Sequence, residues 1–349
     1  MSRRAVVALA AVAAVVVAGL AAWRLLSPAS PLEQALSMAP AGTSRASWTD
    51  WEGVRGELDA DLAAGSSAEA VEAFLGEAFA RDLSSMSALG SSAAVVHTEL
   101  GISPATISWE LLAQSPDGAV EMLGVGDGVD LDELADRLAA LGWTEPEEAD
   151  GVWLGGPDVL SGVGPDLTPE LQHFVLLDDR DVVLASDQAA YLEQVMEVVD
   201  GDADGADGLD DLAAGLEAPL AAAVYDGAYA CERLAMSQAD DDAQAEAAQL
   251  VEAAGGIHPL SGFAMGLLAG GDLRAVMEVE DADDAPGDAE ARAALAAGPA
   301  PGQGGDFADR FTVEAAGSEE RTITLDLRPA EDTYVLSDLT SGPVLFATC

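Results

Sequence analysis

Lysine is absent from this chain of 349 residues. All 14 basic residues are arginines, and against 63 aspartates and glutamates they leave a formal charge of −49. That balance excludes nucleic-acid binding, because a phosphate backbone is held by clustered positive charge and repelled by a field of this sign. Histidine is scarce too. His97, His173 and His258 stand far apart in no zinc-ligand spacing, and no serine occupies a nucleophile elbow. Metalloenzyme and serine-hydrolase readings therefore lack their parts, and the chain reads as a non-enzyme. Two carboxylates could still do glycoside chemistry, but among 63 acids their proximity in sequence says nothing. An exported carboxylate-dependent hydrolase stands as an alternative that needs a pocket with two acids in it. Aromatic residues make up only 5%, while half the residues are apolar. Such a chain is too hydrophobic for acidic disorder, and it folds around small side chains.

What is present begins with an uncharged run from Ala5 to Trp23, preceded by Arg3 and Arg4. Its length suits a bilayer span better than a signal-peptide core, so it predicts a transmembrane signal anchor. A cleaved signal peptide, giving a secreted chain, is the alternative. The positive-inside rule puts residues 1–4 in the cytoplasm and everything from about residue 27 outside, a single-pass protein of the cell membrane. Only Cys231 and Cys349 occur, both in the exported part. An even pair in an oxidising compartment predicts a disulfide, against a buried Cys231 with a frayed terminal thiol.

Residues 24–43 read as a linker and 44–104 as mainly helical. Thr49-Asp50-Trp51-Glu52 and Ser66-Ser67-Ala68-Glu69 fit the capping box, and Val71, Phe74, Leu75, Ala78 and Phe79 make one helical face. Trp48 and Trp51 are expected to anchor this segment on the domain C-terminal to it. From 105 the pattern changes to strands, hairpins and helices, in an order that occurs twice. In 105–199, Ile107 to Leu111 and Ala119 to Val125 flank a Ser115-Pro116-Asp117-Gly118 turn; a helix from Asp130 to Leu141 and strands at Gly151–Gly155 and Phe174–Ala185 come next. In 212–349, Gly262–Leu268 and Leu273–Val279 precede a helix from about Gly287 to Ala297, then strands at Phe311–Leu327 and Tyr334–Ala347. ELLAQSPDGAVEMLGVGDG in the first stretch matches GLLAGGDLRAVMEVEDADD in the second. The expected fold is α+β, a transmembrane helix and a helical segment followed by a duplicated β-β-α-β-β unit with antiparallel sheets.

Between the repeats lies an acidic loop, 200–211. Asp200, Asp202 and Asp204 occupy positions 1, 3 and 5 of an EF-hand-like loop, with Gly205 at 6 and Asp211 at 12. These four aspartates are the candidate calcium ligands of a calcium-stabilised extracellular domain. The pattern departs from an EF-hand in its aspartate at 12 and its polar Asp207 at 8, and a solvated acidic connection explains it equally. Gly124-Val125-Gly126-Asp127-Gly128 lacks dinucleotide spacing and reads as a turn.

Residues 31–55 (PLEQALSMAPAGTSRASWTDWEGVR), 224–244 (VYDGAYACERLAMSQADDDAQ) and 255–266 (GGIHPLSGFAMG) resemble a group of uncharacterised membrane-anchored, exported proteins of high-GC actinobacteria. The missing lysine is similar to that coding bias. The resemblance implies a location and a fold, and no functional residues. The expected function is an extracytoplasmic, membrane-anchored binding or structural module, touching the membrane through its N-terminal helix. Its acidity favours cations or a basic protein surface as partner.

Overall fold

The computed structural model describes residues 29–349 apart from 127, 166 and 207, so the expected membrane anchor lies outside the described residues. Among the described residues no helix is long and apolar enough to cross a membrane. The first half runs α1 (Pro31–Leu36), β1 (Arg45–Thr49), α2 (Trp51–Glu57), α3 (Ala68–Ala80), α4 (Ala93–Glu99), the hairpin β2 (Trp109–Gln114) and β3 (Ala119–Gly124), α5 (Leu131–Leu141), the short β4 (Trp153–Leu154), α6 (Pro157–Val163), the hairpin β5 (His173–Leu177) and β6 (Val182–Ser186), and α7 (Ala189–Val199). The second runs α8 (Leu209–Leu216), β7 (Ala221–Asp226), α9 (Gly227–Tyr229), α10 (Asp241–Ala254), the hairpin β8 (Leu260–Leu267) and β9 (Leu273–Val279), α11 (Ala285–Ala296), the hairpin β10 (Phe311–Glu319) and β11 (Thr322–Pro329), and α12 (Val335–Thr340).

All the strands join one antiparallel sheet of 11, in the order β10-β11-β9-β8-β7-β1-β2-β3-β6-β5-β4. Its centre is the pair β1–β7, with Ser47 opposite Ala223. On each side of that pair a hairpin, a helix and a second hairpin follow in the same sequence, and in each case the second strand of one hairpin pairs with the second strand of the other. The matching sequence text is not in the sheet's register. Leu112 lies opposite Ser47 and Met265 opposite Ala223, so the counterpart of Leu112 is Met265, whereas the text aligns Leu112 with Leu268.

Helices cover both faces, and this decides how the strands read. In β7, Ala221, Ala223 and Tyr225 enter one core while Ala222 and Val224 enter the other, beside α1, α7 and α8. A strand buried on both sides shows a continuous apolar run instead of alternation. Nearer the rim, β11 buries Ile323, Leu325 and Leu327 and leaves Thr324 and Asp326 half-buried. Ala222, Ala223 and Ala264 are buried in these strands, small side chains filling the core of a chain poor in aromatics.

Several sequence expectations change. Phe174–Ala185 and Phe311–Leu327, each expected as one strand, are both hairpins, turning where Asp181 and Glu320 adopt φ of 53° and 52°. Gly151–Gly155 contributes only Trp153–Leu154. Tyr334–Ala347, expected as a strand, is α12 followed by a 3-10 turn at Leu345–Ala347, because Val335, Leu336 and Leu339 share a helical face toward the core. The segment 44–104 is not only helical: it supplies β1, the middle of the sheet.

Both expected caps fall one residue later. Asp50 accepts from the Gly53 amide at 2.8 Å, since Thr49 still belongs to β1, and Ser67 accepts from Ala70 at 3.2 Å, since the Ser66 hydroxyl is taken by the Ala63 amide. Phe79, expected in the core, is 58% exposed and lies 5.7 Å from the Tyr334 ring.

Cys231 and Cys349 are joined as a disulfide whose Cα atoms lie 5.6 Å apart, across 118 residues of sequence. It fastens the C-terminal residue to the turn after α9. Closing a long loop restricts the unfolded chain, so Cys231→Ser with Cys349→Ser is expected to lose about 2–4 kcal/mol. Urea unfolding measures this, and equal midpoints for variant and parent would refute it.

Candidate functional site

Alternate residues of the central strands put a polar strip into the larger core. β1 contributes Arg45, Ser47 and Thr49, and the ladder sets them in rows with their neighbours: Tyr225, Arg45 and Gln114; Ala223, Ser47, Leu112 and Glu121; Ala221, Thr49, Glu110 and Leu123. Opposed residues of an antiparallel pair share a face, so these residues lie on one face across β7, β1, β2 and β3. Further out in the second half the same face is apolar, with Phe263, Met265, Met277 and Ile323.

Glu110 is 1% exposed and uses both carboxylate oxygens. Oε2 accepts from Trp51 Nε1 and Ser87 Oγ, both at 2.8 Å; Oε1 accepts from the amides of Ala88 at 2.5 Å and Leu89 at 3.1 Å. These four donors favour its charged form, against a burial that raises its pKa. Glu110 thus fixes α2 and the segment 87–89 over the sheet. Glu121 is fully buried and neither of its oxygens meets a hydrogen-bond partner among the described residues. Burial first, then the adjacent Glu110 and the charge of Glu170, hold its carboxyl well above the usual carboxylate range. Two such neighbours titrate as a pair, and the proton rests on Glu121 because the donors serve Glu110.

A cleft of about 340 Å³ opens above the strip. Its floor is Arg45, Ser47, Leu112 and Tyr225; its walls are residues 85–88 on one side and Ser337, Thr340 and Ser341 of the α12 region on the other. Asp82 links the two walls. Its Oδ2 accepts from the Ser337 amide at 3.1 Å, its backbone carbonyl accepts from Ser85 Oγ at 3.2 Å, and burial raises its pKa. Tyr225 stacks on Tyr229, ring centroids 5.4 Å apart and planes 9° apart, and burial pushes its phenol pKa up. Arg45 Nη1 donates to Tyr229 Oη at 3.3 Å. Buried polar atoms without a partner among the described residues include Thr49 Oγ1, Gln114 Oε1 and both oxygens of Glu121 on the strip, and Asp82 Oδ1; none of these residues lines the cleft itself. Polar burial on this scale is costly unless something else satisfies it.

None of these residues stands out in the sequence as a motif. A signal exists, since Glu110 and Glu121 interrupt otherwise apolar strands.

The acidic loop lies elsewhere. Asp200 is the exposed C-cap of α7, Asp202 and Asp204 are exposed, and Asp211 stands exposed in the first turn of α8. The loop is tied to the N-terminal segment by backbone bonds from Ala41 to the Asp204 carbonyl at 3.2 Å and from Ala206 to the Ala39 carbonyl at 2.9 Å. Among the described residues no three His, Cys, Asp or Glu side chains are grouped to hold a metal ion.

The histidines separate as well. His97 is buried between Ser103 Oγ at 2.9 Å and the Ser66 carbonyl at 2.8 Å. The His173 ring accepts from the Gly155 amide at 3.3 Å, and His258 meets Asp288 at 2.8 Å.

No family model and no curated protein matches the chain. Among solved structures, the chain is similar to crystal form I of TP0453, at 7% identity and a TM-score of 0.41, over 92% of this chain and 99% of that one.

Proposed function

We propose that the chain is an extracytoplasmic, membrane-anchored binding module that holds a small ligand in the cleft above β1 and β7. The carrying observation is that buried polar atoms without a partner among the described residues lie on the strip beneath a cleft whose volume of about 340 Å³ falls at the small end of ligand sites. The anchor reading rests on the Ala5–Trp23 run and the charges beside it. Binding is favoured over catalysis because Glu110, which bonds the cleft wall at Ser87 and Ala88, has both oxygens committed to four donors, and Glu121 lies fully buried beneath the floor.

The repeated hairpin–helix–hairpin order supports a duplicated unit as the origin of the body. On that reading the site belongs to the seam: β1 comes from one half and β7 from the other, and the floor exists only where they pair.

A thermal-shift screen of small polar compounds against the full chain tests the ligand site, with Ser341→Trp placed to fill the mouth. Compounds that raise the melting temperature of the parent and leave Ser341→Trp unmoved are expected. A screen without hits, or hits that shift both proteins equally, would remove the cleft as a ligand site.

A further inference from the structure

The cleft contains one cation. Arg45 lies on β1 between Gln114 and Tyr225 in the ladder, half-buried, in a chain where acids outnumber arginines 63 to 14. Six arginines find a carboxylate within reach: Arg81, Arg137, Arg274, Arg292, Arg321 and Arg328. Others are used up on oxygens of the protein, as Arg55 is on the Pro104 and Ile107 carbonyls and Arg180 on that of Val199. Arg45 does neither. Among the described residues it forms no ion pair, and its one hydrogen bond goes to the Tyr229 hydroxyl. A guanidinium has five donors in a planar fork, so most of its capacity faces the cleft unspent.

The groups around it match the same kind of guest. Ser47 and Tyr225 line the floor, and neither hydroxyl makes a hydrogen bond with another described residue. No aspartate or glutamate lines the cleft: Glu110 is turned toward the Trp51, Ser87, Ala88 and Leu89 donors, Asp82 gives one oxygen to the Ser337 amide, and Glu121 lies buried beneath the floor. A cationic guest would find no free carboxylate on the floor and would face Arg45. An oxyanion would meet a fork of donors with hydroxyls beside it, the arrangement that gives the strongest charge-assisted bonds.

We propose that the cleft binds the oxyanion of a small hydroxylated compound, a carboxylate or a phosphate, with Arg45 as its anchor and the Ser47 and Tyr225 hydroxyls completing its shell. This rests on the cleft being the ligand site.

Calorimetric titration of the full chain in detergent micelles, with D-glucuronate, glycerol 3-phosphate and D-glucose as probes, tests it. Saturable binding of at least one of the two anions by about 10 mM is expected, weakened about tenfold or more in Arg45→Met. Glucuronate alone would assign the anion to a carboxylate source and glycerol 3-phosphate alone to a phosphate source. Arg45→Lys keeps the charge without the fork and is expected to bind more weakly than the parent. It serves as the comparison if Arg45→Met does not fold. Failure of both anions to bind, or equal binding by Arg45→Met, overturns the proposal. Glucose binding as tightly as glucuronate also overturns it, while leaving the cleft as a site for an uncharged guest.

Discussion

Replacing Arg292 with methionine is expected to cost about 3–5 kcal/mol, the loss incurred when one partner of a buried ion pair is removed. Arg292 on α11 is 0% exposed. Its Nη1 donates to the carbonyls of Phe346 at 2.7 Å and Thr348 at 3.0 Å, and its Nη2 to that of His258 at 2.5 Å. Its Nε meets Asp288 one turn earlier at 3.2 Å, and Asp288 in turn accepts from the His258 amide at 3.0 Å. One guanidinium therefore fastens the C-terminal residues and the start of β8 to a single helix. Methionine fills the volume but leaves three carbonyls without their donor and Asp288 with His258 alone. Arg292→Met with Asp288→Leu removes both charges and is expected to recover part of the loss, since a buried pair replaced by apolar groups is often neutral, while the three carbonyls stay without their donor. Urea midpoints of the single and double variants decide it, and a double variant no more stable than the single one would contradict the account. The disulfide ends at Cys349, beside the same carbonyls, so its removal and Arg292→Met should combine non-additively.

This network shows where sequence reading stops. The strands of β2–β3 and β8–β9, helix α5 and the disulfide are legible because their signals are local or, for the cysteines, exhaustive: two cysteines allow one pair. Tyr334–Ala347 reads as a strand because its apolar residues fit either period and only the core shows which face is needed. Two hairpins read as single strands because their turns use aspartate and glutamate at positive φ without the usual glycine. The candidate site is less legible still. Arg45 matters for the partner it lacks, and that is a tertiary fact. Glu110 and Glu121 are two acids among 63 until β2 and β3 turn them into the core. The Asp200 to Asp211 loop has the more visible pattern, but the helical start at Leu209 takes Asp211 out of the loop.

Glu110 and Glu121 should respond to the same substitution in opposite ways. Glu110→Gln turns an NH₂ group toward two of the four donors, and stranding buried donors at about 1–3 kcal/mol each predicts a loss of about 2–6 kcal/mol. Glu121→Gln strands nothing, because no donor serves its carboxyl. Its effect appears in the pH dependence. The folded-state pKa of Glu121 lies above the ordinary 4.5, so between 4.5 and that value the native state holds a proton that the unfolded state has released. Stability then falls as pH rises through this window, by up to about 1.4 kcal/mol per pH unit, and levels off above it. Glutamine carries no such penalty. Glu121→Gln and the parent should therefore have similar stability near pH 4, and the variant should gain progressively toward pH 8. Asp82 and Glu278, also raised by burial, contribute the same slope to both proteins and cancel in the difference. Parallel profiles of unfolding free energy from pH 4 to 8 would mean that Glu121 is ionised at neutral pH. The proton would then have to sit on Glu110, which its four donors oppose.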